Sequence, residues 1–136
     1  MKLQKLISKL EKHHKKKLDL SLGRTFNLLK KLGNPQDKLK NVITVVGTNA
    51  KASMCYSLKS ILNQAGYKTN LYTSPHLLSY TERYVFDDKE INEGDLIELL
   101  TGVEKTLGDD NATLFEILTC AFLKYAENFK DNINII

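Results

Sequence analysis

The sequence predicts an α/β fold, a parallel β-sheet flanked by helices, and three observations carry that prediction. Residues 42–46 are an apolar, β-branched run that passes through Gly47 and a polar turn into a helical repeat. A second strand-like segment, Tyr67 to Thr73, follows that helix directly, and Asn132 to Ile136 reads as a third. Apolar residues at three- and four-residue spacing fill the intervals, and strands that alternate with helices pack as a parallel sheet with helices on its faces.

Taken in order, Leu3, Leu6, Ile7 and Leu10 sit at helical spacing. The lysines among them form the wet face of an amphipathic helix. Leu22, Phe26, Leu29 and Leu32 mark a second helix, ended by Gly33 and Pro35. Val42 to Val46 reads as a buried parallel strand. Met54, Leu58, Ile61, Leu62 and Ala65 predict the helix after the turn, closed by Gly66. Tyr84-Val85-Phe86 and Glu90-Ile91 flank Asp87-Asp88, a pattern for a small hairpin. Leu96, Leu100, Val103 and Leu107 give another amphipathic helix, stopped near Gly108, and Phe115, Leu118, Phe122, Tyr125 and Phe129 give the last.

Composition is that of a globular domain, with 42% apolar and 26% charged residues. No run approaches a transmembrane span, and the lysine-rich N-terminus has no signal-peptide core, so a cytoplasmic location without membrane partners is expected. The formal charge of +4 is uneven: residues 1–17 hold seven lysines against Glu11, a net of +6, which leaves −2 for the rest. A basic arm can touch nucleic acid, but the amphipathic pattern makes a solvated helix face the simpler account and disfavours nucleic acid as a partner. Adjacent His13 and His14 cannot share a helix face, which speaks against a metal role. Cys55 and Cys120 lack metal-ligand spacing and read as reduced, buried small hydrophobes.

The segment Gly47-Thr48-Asn49-Ala50-Lys51-Ala52-Ser53 carries the chemistry. A strand, a tight turn and a helix N-terminus aim backbone N–H groups and a positive dipole end at one spot, which suits a phosphate. Lys51 adds a charge for terminal phosphates and Ser53 a hydroxyl for the loop or its Mg²⁺. The G-x-x-x-x-G-K-[ST] pattern is not met, because Val45 and Ala50 occupy its glycine positions. An ordinary strand-to-helix turn therefore stays open from spacing alone.

Four motifs together resemble a known family. The segment 47–53 resembles the GTNGKGS loop of folylpolyglutamate synthase and dihydrofolate synthase, members of the Mur ligase superfamily. Leu32-Gly33-Asn34-Pro35-Gln36 resembles the LGNPQ that precedes that loop's strand. Thr73-Ser74-Pro75-His76-Leu77, with Ser79-Tyr80-Thr81-Glu82-Arg83, resembles its TSPHL…ERI loop, and Phe115-Glu116-Ile117-Leu118-Thr119 its FE-x-x-T helix. The resemblance covers residues 18–136 and implies the P-loop-type sheet of a Mur ligase central domain, preceded by a basic helix at 1–17. Members are roughly three times longer, so the chain is expected to be a truncated, N-terminal part that ends in mid-sheet, with the C-terminal ligase domain absent.

What the resemblance implies for chemistry is ATP-driven amide formation. A carboxylate, of dihydropteroate or of a folate's glutamate tail, attacks the γ-phosphate, and the amine of glutamate captures the acyl phosphate. The enzyme's task is to neutralise phosphate charge and hold an anionic acid against it. By the same resemblance the 47–53 loop binds ATP, Lys51 is the catalytic cation on the β- and γ-phosphates, and Ser74 and Glu116 reach Mg²⁺. His76, Tyr80, Glu82 and Arg83 fall in the loop beside the pterin. Read on its own, Thr113-x-x-Glu116 is a capping box satisfied without metal. Ala50 and Ala52 replace two family glycines, and a Cβ at a left-handed position costs roughly 1–2 kcal/mol, which is expected to weaken ATP binding. Three readings follow: a folate ligase part inactive alone and completed by a complementing C-terminal chain, a non-catalytic remnant, or a basic binding module.

Overall fold

The computed structural model describes residues 2–13 and 22–136, and these divide into two compact units. His14, Lys15 to Lys17 and the expected boundary after residue 17 lie outside the described residues.

The first unit, residues 1–37 and 93–125, is helical. It holds α1 (Leu3–Leu10), α2 (Gly23–Lys31), α4 (Glu93–Leu107) and most of α5 (Leu114–Ala126). Leu3, Leu6, Ile7 and Leu10 are all buried, as the periodicity requires, and Lys9 reaches Glu104 at 3.0 Å from the wet side. His13 donates to the same carboxylate, Nε2 to Oε1 at 3.1 Å. Leu96, Leu100, Val103 and Leu107 are the buried stripe of α4. In α2 the buried residues are Leu28 and Leu29, while Leu22 and Phe26 are exposed. Of the expected stripe, Leu29 and Leu32 are thus buried, and Leu22 and Phe26 are not. Helix α5 stops at Ala126, short of Phe129, and turns Phe115 outward.

The second unit, residues 38–92 and 126–136, is a five-stranded sheet with one helix on it. Its strands are β1 (Val42–Ile43), β2 (Thr69–Tyr72), β3 (Tyr84–Phe86), β4 (Lys89–Glu90) and β5 (Ile133–Ile135), and the helix is α3 (Lys51–Gln64). The order is β1-β5-β2-β3-β4. The parallel expectation holds for β1, β5 and β2; β3 and β4 add antiparallel, so the sheet is mixed. Asp87 and Asp88 turn the β3–β4 hairpin with φ of +49° and +66°. Two positive φ values make the turn whose twist matches its strands, and Asp tolerates them.

Register in the middle of the sheet is held by three buried asparagines. Asn70 donates to Asn134 Oδ1 at 2.9 Å and accepts from Asn132 Nδ2 at 3.0 Å, and the Asp87 N–H closes on Asn70 Oδ1 at 3.1 Å. Asn134 in turn donates to the Lys40 carbonyl at 3.1 Å. On the opposite face Cys55 of α3 packs with Leu71, Val85 and Ile135, beside the partly buried Val45, Leu58 and Leu62. The free thiols of Cys55 and Cys120 are buried. Burial pushes the Cys120 thiol up to about 12, which removes it as a nucleophile.

The strand expected to be buried is not. β1 is two residues long, lies at the edge of the sheet and leaves Val42 and Val46 exposed. Likewise Met54 and Ile61, expected in the core stripe of α3, are exposed, and Cys55 alone is fully buried there. Among the described residues no helix is long and apolar enough to cross a membrane.

Candidate functional site: the β1–α3 loop and its neighbours

The loop at 47–53 leaves β1 and enters α3 as a tight turn. Ala50 takes the position just before the helix with φ +60° and ψ +12°, a left-handed conformation that curls the chain so α3 can start at Lys51. Its carbonyl opens the helix by accepting from the Met54 N–H at 2.9 Å. Gly47, at φ +156°, makes the other bend, and a Cβ there would meet only ordinary contacts at 3.8 Å. No side chain caps α3. The first-turn N–H groups of a helix have no partner within it and carry its positive dipole end.

Lys51 folds back over this turn. Its Nζ donates to the carbonyls of Gly47 at 2.7 Å and Thr48 at 3.3 Å, holding the ammonium against the loop while still exposed. Ser53 is exposed in the first turn of α3. Only one of the two alanines is strained. Ala52 lies inside α3, where its Cβ meets no demand for positive φ.

Residues 74–83 form a second loop in the same unit, organised by Glu82. Its carboxylate accepts the N–H groups of Leu77 at 2.8 Å and of Leu78 and Ser79 at 2.7 Å. Those three bonds hold its carboxyl below the usual carboxylate range. Ser79 completes a reciprocal cap at the turn Tyr80–Arg83. That S-x-x-E pattern was readable in the sequence and marks Glu82 as an organiser of the loop. Arg83 lies over the Tyr80 ring at 5.0 Å, donates to His76 Nδ1 at 2.9 Å and reaches Ser74 Oγ at 3.2 Å. The His76 and Tyr80 rings meet at 4.2 Å. Ser74, His76, Tyr80 and Arg83 are therefore one connected group.

Glu116 belongs to the helical unit. The expected capping box is present: the Thr113 N–H donates to Oε2 at 2.6 Å, and the Glu116 N–H to Thr113 Oγ1 at 3.1 Å. Arg24 also grips the carboxylate, Nε to Oε2 and Nη2 to Oε1, both at 3.2 Å. Burial raises the Glu116 carboxyl, but the bonds from Thr113 and Arg24 outweigh it and leave the group below its ordinary range. Sequence inspection missed Arg24, which stands 92 residues away and has no motif of its own. Among the described residues no group of three or more His, Cys, Asp or Glu could hold a metal ion unaided.

Comparison with known proteins points one way. The chain is 39% identical over 117 residues to the dihydrofolate synthase/folylpolyglutamate synthase of Escherichia coli, a match spanning 86% of this chain and 28% of that protein. It is 36% identical over 114 residues to the dihydrofolate synthetase of Saccharomyces cerevisiae, across 79% of this chain and 26% of that one. Among solved structures, Escherichia coli FolC in complex with DHPP and ADP superposes with a TM-score of 0.90 at 36% identity, covering 99% of this chain and 32% of FolC. The Yersinia pestis bifunctional synthase complexed with AMPPNP and Mn ion gives 0.90 at 31%, over 99% and 33%. No family profile matches the chain. The chain thus spans about 28% of the length of the Escherichia coli relative it matches.

Proposed function

We propose, for a chain that belongs to the dihydrofolate synthase/folylpolyglutamate synthase family, that it contributes the phosphate-binding part of an ATP-dependent amide ligase of folate biosynthesis. In that reaction the carboxylate of dihydropteroate or of a folate tail attacks the γ-phosphate of ATP and releases ADP. The glutamate amine then displaces phosphate from the acyl phosphate, giving the amide. A cytoplasmic location belongs to the same reading.

The observation that carries this is the β1–α3 loop, with its left-handed Ala50, its uncapped helix start and the Lys51 ammonium held on Gly47 and Thr48. Phosphate oxygens would replace those two carbonyls as partners of Lys51 and take up the first-turn N–H groups of α3, while Ser53 offers a hydroxyl. Because the loop is already curled, a nucleotide meets donors that need little reorganisation. Its relatives are solved with ADP, and with AMPPNP and Mn ion, which supports a nucleotide and a divalent cation here.

Mg²⁺ keeps several waters and leans on substrate phosphates more than on a protein cage, so the sparse donor set fits it. When bound it would neutralise phosphate charge. Ser74 is the candidate oxygen donor in the sheet unit, and Arg83 holds its hydroxyl in place. Glu116 can serve a cation only by exchanging Arg24 for it. His76, Tyr80 and Arg83 form a stacked polar group suited to a flat heteroaromatic acid such as a pteroate, with Glu82 fixing the loop rather than touching the ligand.

Calorimetric titration of the chain with Mg·AMPPNP tests the loop directly. Saturable binding that is lost in Lys51→Ala, with an unchanged far-ultraviolet spectrum, is the expected result. Equal binding by the two proteins, or none by either, rejects the reading.

A further inference from the structure

We propose that His76 is the specificity-determining donor of the 74–83 loop and that Arg83 is a positioning residue acting through it. Arg83 fixes the imidazole so that its Nε2–H selects a ligand ring with an acceptor in its plane. The inference rests on the reading of this loop as a pteroate site and divides the work within it.

The guanidinium comes first. Arginine has N–H donors and no acceptor, so the 2.9 Å bond from Arg83 Nε to His76 Nδ1 requires a lone pair on Nδ1. A neutral imidazole with that lone pair carries its proton on Nε2. Ring orientation is fixed with it, because turning the imidazole over would set a carbon against Arg83 Nε. The same guanidinium donates to Ser74 Oγ at 3.2 Å and lies 5.0 Å from the centre of the Tyr80 ring. With Nε on His76 and Nη1 on Ser74, Arg83 is committed to its own loop. It is not held open as a two-pronged grip for a substrate carboxylate.

The imidazole is therefore fixed on two sides. Arg83 holds its Nδ1 edge, and the Tyr80 ring lies against it with centroids 4.2 Å apart. The ring is half-buried, and among the described residues nothing accepts from Nε2. Glu82, bonded to the N–H groups of Leu77, Leu78 and Ser79, sets the backbone between His76 and Tyr80. The donor thus stands in place before a ligand arrives. Such an N–H asks for a lone pair near the imidazole plane. A ring nitrogen or ring carbonyl at the edge of a flat bicyclic heterocycle supplies one. An edge bearing only C–H or N–H leaves the donor unpaired and is rejected.

Two substitutions of Arg83 separate positioning from charge. Glutamine places its side-chain nitrogen as many bonds from Cα as Arg83 Nε, without the charge. Lysine keeps the charge but puts a methylene there. A residue that positions His76 is replaced by glutamine, and one that grips the ligand's carboxylate is replaced by lysine.

The chain and its variants are titrated calorimetrically with dihydropteroate, with melting curves to verify folding. His76→Phe keeps a ring beside Tyr80 and should weaken binding roughly three- to tenfold, the worth of one neutral hydrogen bond. His76→Gln, which restores an N–H near the Nε2 position, should recover most of that loss. Arg83→Gln should bind close to the native chain, and Arg83→Lys should fall as His76→Phe does. Imidazole nitrogen NMR, assigned among the three histidines with the His76 variants, should show His76 protonated on Nε2. That signature should persist in Arg83→Gln and be lost in Arg83→Lys. Native affinity in His76→Phe, retention by Arg83→Lys with loss by Arg83→Gln, or a proton on Nδ1 overturns the proposal. Absence of dihydropteroate binding in the native chain, with the Nε2 proton in place, instead rejects the pteroate reading on which the proposal stands.

Discussion

Replacing Ala50 and Ala52 separately by glycine should move stability in opposite directions. Ala50 sits at φ +60°, where an L-residue with a Cβ pays roughly 1–2 kcal/mol that glycine does not. Glycine gives back part of that gain, roughly 0.4–1 kcal/mol, because it frees the unfolded chain. Ala50→Gly should therefore stabilise by about 0.5–1 kcal/mol. Ala52 is helical and gains no such relief. Ala52→Gly should destabilise by roughly 0.5–1 kcal/mol through lost helix propensity. The two variants should differ by about 1–2 kcal/mol, or several degrees in melting temperature for a domain of this size. Urea melts with a common slope resolve such a difference. Because the folded loop already holds the left-handed turn, Ala50→Gly should change nucleotide affinity far less than stability. Destabilisation by both glycines, or a gain of affinity without a gain of stability, would show that the strain is not where the backbone places it.

Two further outcomes are expected. Asn70→Leu should cost about 1–3 kcal/mol in a urea melt, since it leaves Asn134, Asn132 and the Asp87 N–H without their buried partner; a neutral result would mean the three asparagines are not coupled. Glu116 has a carboxyl below its ordinary value of 4.5, so its contribution is complete above that pH and fades as pH falls through the lower folded value. Glu116→Gln should accordingly flatten the loss of stability below about pH 4.5, and an unaltered acid limb would refute the assignment.

How far the sequence announced this molecule varies by element, and the reason is locality. The β3–β4 hairpin was legible because Asp87-Asp88 carries its own turn chemistry, and the buried face of α1 because Leu3, Leu6, Ile7 and Leu10 repeat strictly. Thr113 and Glu116 were legible as a cap for the same reason. Val42, Val46, Met54 and Ile61 misled because an apolar side chain records what a surface could bury, not whether anything lies against it. Arg24 was invisible because its meeting with Glu116 depends on tertiary folding across 92 residues. The asparagine cluster was missed because polar residues in a strand ordinarily mark its wet face, and here they bond one another in the dry one. In the candidate site, the turn from β1 into α3 followed from short spacing, while the role expected of Lys51 came from the resemblance. The split between a strained Ala50 and an easy Ala52 needed the backbone.

The bonding of Glu82 has a consequence for recognition. Three consecutive N–H groups converge on one carboxylate, so the turn that carries Leu77 and Leu78 is set while both side chains remain over 90% exposed. Ordering a residue's backbone ordinarily subtracts roughly 1–2 kcal/mol from any contact it makes. For these residues that entropy is lost when the chain folds, before any partner arrives. Contact area gained at the two leucines can then appear in affinity with less deduction than a pliant loop would impose.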